Sequence, residues 1–434
     1  MAAEKWCTPK VDQVNTRSTS ASSLHDAEIR HVVMTAAAMA ARALTGSDSS
    51  TDPEVRLKEM MDAHARILWA WGPGKPLTFT KFREMLTEDL SALLPDGVDA
   101  GEMSGFYAIT EDGEFEEDSY DLEMEQRTVL EALDKASWNG RSAMGDRVSD
   151  ELHQTLVHRE LLKGRSQESY CAWRSALITT PAGTAGELRR LDLPAKLDEF
   201  YEPIRFDALY DQRWWFACPF CSWPMKITLH GEKRGSAGKV RCFHRPHARH
   251  GARYEFTVPD SGKAPELRPV GRPLKPEGNA SVLFKDITDG IPEPTPEKGH
   301  RALVRGVWRC TTIPGIPELG LYDALSKPTL KKKEVAVALW PDMDTYDLLV
   351  TVSRERGART EFKVDVKDYT HATLLADKIT ADRGDGGGAD WLVVPDFRYD
   401  TVPMLEDVSR KWMRVATAGD FGARVCQEAG ATWA

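Results

Sequence analysis

Three side chains in the C-terminal part of the chain carry its most legible chemistry: Asp347, Asp365 and Lys367. Across residues 362–366 apolar and polar residues alternate, the period of a half-buried β-strand. Phe362, Val364 and Val366 should then face a core, while Lys363, Asp365 and Lys367 project together from the other face. Residues 346–352 read as a buried strand with one carboxylate, Asp347, near its start. Neighbouring strands that present Asp and Asp-x-Lys bring two carboxylates and an ammonium together. Acids so close repel unless a divalent cation lies between them, which suggests a Mg²⁺ or Mn²⁺ site for phosphodiester chemistry.

A second cluster is written in cysteine and histidine. Cys218-Pro-Phe-Cys221 is followed, after twenty intervening residues, by Cys242-Phe-His244-Arg-Pro-His247-Ala-Arg-His250. A C-x₂-C knuckle sets two thiolates for one tetrahedral ion and a later pair completes the shell, the spacing of a zinc ribbon. His247, separated from Cys242 by four residues in a C-x₄-H arrangement, is the expected fourth ligand; His250 and His244 are the other candidates. Four protein ligands leave no open position, so the zinc expected here is structural. Arg241, Arg245, Arg249 and Arg253 decorate the same segment, so the ribbon can grip a phosphate backbone or simply carry solubilising charge.

The chain that must position these groups has 434 residues, enough for two or three domains. Hydrophobic content of 41% and charged content of 29% describe a soluble globular protein. The most apolar stretch, residues 31–44, is interrupted by arginine, so no transmembrane helix is expected, and the first residues have no apolar core of a secretory signal. Seven cysteines, odd in number with three clustered, fit a reducing, cytoplasmic setting and a metal site, not a disulfide framework. The net charge of −10 is uneven: acids crowd residues 102–125, whereas residues 202–275 hold fourteen Lys or Arg against seven Asp or Glu. Contacts to a nucleic-acid backbone should therefore be local to that basic region and the C-terminal part.

Hydrophobic periodicity divides the chain further. Residues 1–23 read as a polar, disordered tail, and residues 24–200 as a helical domain with helices over 26–44, 53–71, 80–93, 124–136, 150–162 and 168–177. Residues 201–257 form the ribbon, 258–300 a Pro-rich linker, and 301–434 an α/β domain. Within the last, 302–310 reads as a strand, 314–325 as a short helix, 382–388 as a Gly-rich loop, 391–394 as a strand, 404–412 as a helix and 413–416 as a last short strand. The expected class is thus multidomain α+β. No P-loop, Rossmann fingerprint or nucleophile elbow occurs, which leaves an ATPase, dehydrogenase or α/β-hydrolase without support.

Helix-Glu, strand-Asp and strand-Asp-x-Lys in that order resemble the PD-(D/E)xK nucleases of restriction endonucleases and junction resolvases. More narrowly, Val364-Asp-Val-Lys-Asp-Tyr369, Pro314-Gly-Ile-Pro-Glu318 and the preceding Cys/His ribbon resemble a bacterial restriction-endonuclease-like protein. Such proteins are encoded beside a PIWI/Argonaute-like protein and a helicase in defence islands. The resemblance implies that Asp347 and Asp365 hold Mg²⁺ or Mn²⁺, with the Val366 carbonyl as a further oxygen ligand. It implies that Lys367 orients the attacking water or stabilises transition-state charge, and that Glu318 completes the metal site or its surroundings. Tyr346, not proline, precedes Asp347, and Pro341-Asp342 lies earlier, so Asp342 and Asp344 remain second choices.

The function so implied is a metal-dependent DNA endonuclease in defence against foreign DNA, with the PIWI-like protein and helicase as partners and a homodimer where both strands are cut. Two other readings share the residues: a non-catalytic nucleic-acid-binding or assembly subunit, and a structure-selective nuclease of recombination or repair.

Overall fold

The computed structural model of the chain describes residues 16–45, 52–116, 149–271 and 291–433, apart from 101–102, 105, 110–112, 114, 165, 232–233, 261, 355–357, 370 and 385–386. The helix expected over 124–136 and most of the acidic 102–125 stretch lie outside the described residues. The chain divides into two compact units, one of residues 1–142 with 373–381 and one of residues 143–372 with 382–434.

In the first unit, helix α1 (Thr16–Thr45) starts inside the segment read as a polar tail. It packs on α2 (Pro53–Trp71), and its buried residues include Ala36, Ala37, Ala40 and Ala41. Asp52 caps α2 by accepting from the Glu54 N–H at 2.9 Å, and Pro53 opens it, as expected of that pair. The helix expected over 80–93 is broken: α3 (Phe79–Met85) ends early and a separate 3₁₀ turn, Leu90–Leu93, follows. Asp89 forces the break by turning its carboxylate onto the Ser91 N–H. His64 bonds the Leu77 carbonyl and stacks on Phe82, a structural histidine.

The second unit is mixed α/β with several sheets. It begins with α4 (Ser149–Leu162) and α5 (Gln167–Thr179), near the expected bounds. The expected strand over 302–310 is corrected. Only His300–Leu303 is extended, and it pairs with Ala182–Thr184 and Tyr201–Pro203 in a separate three-stranded sheet. Beyond it the chain turns helical at Arg305–Val307 and passes through a π-helical turn, Trp308–Thr312. The apolar run was real but is a buried helical turn, with Trp308 stacked on Trp223 at 4.3 Å.

The Cys/His segment folds as four antiparallel strands in sequential order, β1 (Lys226–Leu229), β2 (Ala237–Arg241), β3 (Arg253–Thr257) and β4 (Arg268–Pro269), with the short helix α6 (Arg245–Arg249) between β2 and β3. Strand β4 and a further strand at Thr295–Pro296 occupy the ends of the segment read as a linker.

The last 120 residues or so are built on a five-stranded sheet. Its order is β5 (Val335–Leu339), β6 (Leu348–Ser353), β7 (Arg359–Val366), β8 (Trp391–Val394), β9 (Arg414–Thr417), antiparallel as far as β7 and parallel beyond. Helix α7 (Ile313–Leu325) and the C-terminal helix α9 (Ala418–Glu428) share one core with it, through Leu321, Leu325, Phe421 and Val425 against Val350, Phe362 and Val364. Helix α8 (Val402–Ser409) precedes β9. Strand β7 is central, and its buried positions are Phe362, Val364 and Val366, as the alternation predicts. Among the described residues no helix is long and apolar enough to cross a membrane.

Candidate active site and metal centre

Asp347 lies just before β6, not within it, because the ladder to β7 opens at Leu348. Its backbone is nevertheless pinned there, the Asp347 N–H donating to the Val364 carbonyl at 3.0 Å. The side chain reaches to the end of β7, where Asp347 Oδ2 accepts the Val366 N–H at 2.6 Å. Lys367 follows β7 and bonds the Val393 carbonyl of β8 through its own N–H at 2.9 Å. These backbone bonds fix where three side chains converge: Lys367 Nζ sits 2.6 Å from Asp365 Oδ1 and 3.6 Å from Asp347 Oδ2.

Burial pushes the Asp347 carboxyl up to about 6, against the opposing pull of Lys367. Burial works against the Lys367 charge too, but Asp347 and Asp365 outweigh it and raise the lysine above its usual range. The side chain of Lys367 is 31% exposed, that of Asp365 14% and that of Asp347 6%, so the cluster is reached from the Lys367 side. Asp347 and Asp365 offer carboxylate oxygens of the kind a hard divalent cation takes, and Lys367 Nζ lies beside both. Val366 enters through its N–H to Asp347.

Glu318 adjoins Asp347 through Arg174, whose Nη2 lies 3.9 Å from Asp347 Oδ1, and it has partners from distant segments. Arg174 of α5 places Nη2 3.0 and 2.9 Å from its two oxygens, and Trp340 Nε1 donates to Glu318 Oε2 at 2.5 Å. Burial raises the Glu318 carboxyl, opposed by Arg174; with N–H donors on both oxygens, the ionised form is the one these partners suit. Arg174 also donates to Tyr170 Oη at 3.0 Å, pairs through Nη1 with Asp344, and lies over the Trp340 ring at 4.6 Å. Burial opposes its charge, but Glu318 and Asp344 outweigh that and keep it protonated.

The meeting of Arg174 and Glu318 is set by helix packing. Thr312 Oγ1 donates to the Leu177 carbonyl at 3.0 Å, and a Cβ on Gly315 would fall 2.3 Å from Ile178 Cδ1. Helices α5 and α7 therefore run antiparallel in close contact, and one turn along each brings Glu318 opposite Arg174. Any larger residue at 315 would have to displace the Ile178 side chain.

The loop carrying the second-choice acids is strained. Trp340, Asp342, Met343 and Asp344 all have left-handed φ, at 43°, 52°, 56° and 79°. Gln167 at the start of α5 braces them: its Nε2 donates to the Leu339 and Trp340 carbonyls at 3.0 and 2.8 Å, and its Oε1 accepts the Met343 N–H at 2.9 Å. Asp344 thus serves Arg174. Neither Gln167 nor Arg174 stands out in a helical sequence rich in charge; only their position opposite α7 and the loop marks them.

The Cys/His cluster forms as spaced. Cys218, Cys221, Cys242 and His247 are all buried, with ligand atoms within 4.8 Å of one another. Cys221 and Cys242 Sγ are 3.9 Å apart, and His247 Nδ1 is 3.6 Å from Cys242 and 3.9 Å from Cys218. Tetrahedral Zn–S bonds of about 2.3 Å separate donors by roughly 3.8 Å, so the residues fit zinc. The knuckle is closed by the Cys218 N–H to the Trp223 carbonyl at 2.9 Å and the Ser222 N–H to the Cys218 carbonyl at 2.8 Å. Burial lowers His247, which favours the neutral imidazole able to donate an electron pair. Of the other candidates, His250 packs on Phe397 with Nδ1 2.7 Å from the Pro246 carbonyl, and His244 turns Nε2 to Asp368 at 3.6 Å.

Of the four arginines, Arg241 and Arg253 are register partners on β2 and β3, and Arg245 and Arg249 lie one turn apart on α6.

This sheet, its flanking helices and the acid–lysine cluster at one strand end fit a restriction-endonuclease-like domain. Residues 315–433 match a family model described as "REase associating with pPIWI_RE". The match supports a restriction-endonuclease-like domain tied to PIWI-like proteins. It spans Glu318, Asp347, Asp365 and Lys367, and leaves Arg174 and the Cys/His cluster upstream. No curated protein and no solved structure matches the chain.

Proposed function

We propose that the chain is a divalent-metal-dependent endonuclease of the PD-(D/E)xK type that hydrolyses DNA phosphodiester bonds in defence against foreign DNA, acting with a PIWI-like protein. The observation that carries the reading is the contact of Lys367 Nζ with both Asp365 and Asp347 at adjoining strand ends. Asp347 and Asp365 would hold Mg²⁺ or Mn²⁺, which when bound acidifies water and offsets charge on the scissile phosphate. The Lys367 ammonium, partly exposed, would offset the negative charge that develops on the phosphoryl oxygens. Glu318 closes the acid cluster from the side of α7.

Residues 301–434 are assigned as the nuclease domain and 201–257 as a zinc-ribbon domain. Cys218, Cys221, Cys242 and His247 would hold structural zinc. Arg241, Arg245, Arg249 and Arg253 on the same ribbon are assigned to the phosphate backbone.

The test is cleavage of plasmid, linear and single-stranded DNA by the full-length protein under Mg²⁺ and Mn²⁺, alone and with the PIWI-like partner. Asp365→Ala and Lys367→Ala should each lower cleavage by about 10²-fold or more while the protein stays folded. Undiminished cleavage by the double variant would falsify the assignment. Binding without cleavage under every metal identifies a non-catalytic subunit instead.

A further inference from the structure

We propose that Arg174 is the resident counter-cation of the acid cluster: it keeps Glu318 and Asp344 out of metal coordination, so that Asp347 and Asp365 take a single divalent cation. The inference rests on the reading of those two aspartates as a metal site.

Glu318 receives three N–H contacts, two from Arg174 Nη2 and one from the Trp340 indole. A carboxylate offers about four lone-pair sites, so little of this one is left for an ion. A metal could not displace the donors cheaply. The Arg174 side chain is 10% exposed, lies over the Trp340 ring, and sits where Gly315 lets α5 and α7 touch. A guanidinium also cannot shed its proton to make room.

Asp347 stands apart from that grip. Its Oδ1 lies 3.9 Å from Arg174 Nη2, beyond hydrogen-bond range, and its Oδ2 is tied to the strand end by the Val366 N–H. Four carboxyl groups, those of Glu318, Asp344, Asp347 and Asp365, thus face two cations, Arg174 and Lys367. Arg174 is thus a positioning residue, acting through the acids it holds.

The experiment is a Mn²⁺ titration of the full-length protein, with free Mn²⁺ read from its electron paramagnetic resonance signal. Wild type should bind one Mn²⁺ per chain, and Asp365→Ala should weaken that binding by more than tenfold. Glu318→Gln should leave the affinity within twofold, and Arg174→Met should admit a second Mn²⁺ that is lost again when Glu318→Gln is added. Two ions on wild type, or a tenfold loss of affinity in Glu318→Gln, would overturn the inference while leaving a metal site in place. No binding by wild type would remove the metal-site reading itself, and this inference with it. Should Arg174→Met fail to fold, Glu318→Gln decides the question alone, because losing a ligand weakens Mn²⁺ binding and losing a carboxylate held by arginine does not.

Discussion

Asp368 follows Lys367 directly in sequence, yet its Oδ2 lies 3.6 Å from Nε2 of His244, two residues beyond the zinc-ribbon Cys242. Its other oxygen accepts from Arg398 Nε at 3.0 Å. Burial would raise the Asp368 carboxyl, but Arg398 and His244 outweigh it and hold the group well below the usual carboxylate range. The Cys/His module is therefore tied to the end of the strand that presents Asp365 and Lys367, through one buried carboxylate.

Replacing that carboxylate should cost stability. The side chains of Asp368 and Arg398 are 5% and 15% exposed, and removing one partner of a buried ion pair leaves the other uncompensated. Asp368→Asn should destabilise the protein by about 3 kcal/mol, read from urea unfolding followed by tryptophan fluorescence. A change well under 1 kcal/mol, the size of an exposed pair, would mean that the contact does not anchor the strand end.

Removing zinc should act through the same connection. A structural zinc contributes several kcal/mol, and at about 2–4 °C per kcal/mol for a domain of this size the thermal midpoint should fall by on the order of 10 °C on chelation. One zinc per chain should be released, and Cys218→Ser should reproduce the shift without chelator. Mn²⁺ binding should weaken as well, since Asp368 adjoins Lys367. Protein purified with no zinc and unmoved by chelator would show that the four buried side chains are not a zinc site.

Two parts of this architecture were legible in the sequence because their physics is local. The alternation over Phe362–Val366 follows from a sheet buried on one face, and the Cys218–Cys221 spacing from the reach of a metal knuckle. The rest depends on contacts between distant segments. Arg174 and Glu318 are 144 residues apart, and nothing near either announces the other. Strand β5 is Val-Ala-Val-Ala-Leu after three consecutive lysines, a weak strand signal that the ladder to β6 decides. The loop Trp340–Asp344 adopts left-handed backbone without a glycine to mark it. Residues 302–310, apolar enough for a strand, turn helical once pairing ends at Leu303.

That loop supplies a further prediction. Left-handed conformations cost L-residues roughly 1–2 kcal/mol each, and Gln167 meets the strain with bonds to three backbone groups of residues 339–343. Gln167→Ala should destabilise the protein by about 2 kcal/mol. Amide hydrogen exchange should quicken across residues 340–347 and leave β8 and β9 unchanged. Because Asp344 and Trp340 both address the Arg174–Glu318 pair, Mn²⁺ affinity should also change. Exchange that is unaltered in the loop would show that Gln167 does not hold it.

The close approach of α5 and α7 can be tested at the one residue that permits it. A Cβ on Gly315 would lie 2.3 and 2.5 Å from Ile178 Cδ1 and Cγ1, and the β-branched isoleucine has few rotamers in a helix with which to retreat. Gly315→Ala raises helix propensity by about 1 kcal/mol, so an uncrowded glycine would yield a more stable protein. Overpacking costs about 1–3 kcal/mol and should reverse that sign. Adding Ile178→Ala should recover part of the loss, the coupling expected of side chains in contact. The same shift should part Arg174 from Glu318, so Gly315→Ala should admit a second Mn²⁺ where a mutation on the outer face of α7 does not. A single Gly315→Ala variant more stable than wild type, with unchanged Mn²⁺ binding, would show that the packing of these helices does not set the geometry of the acid cluster.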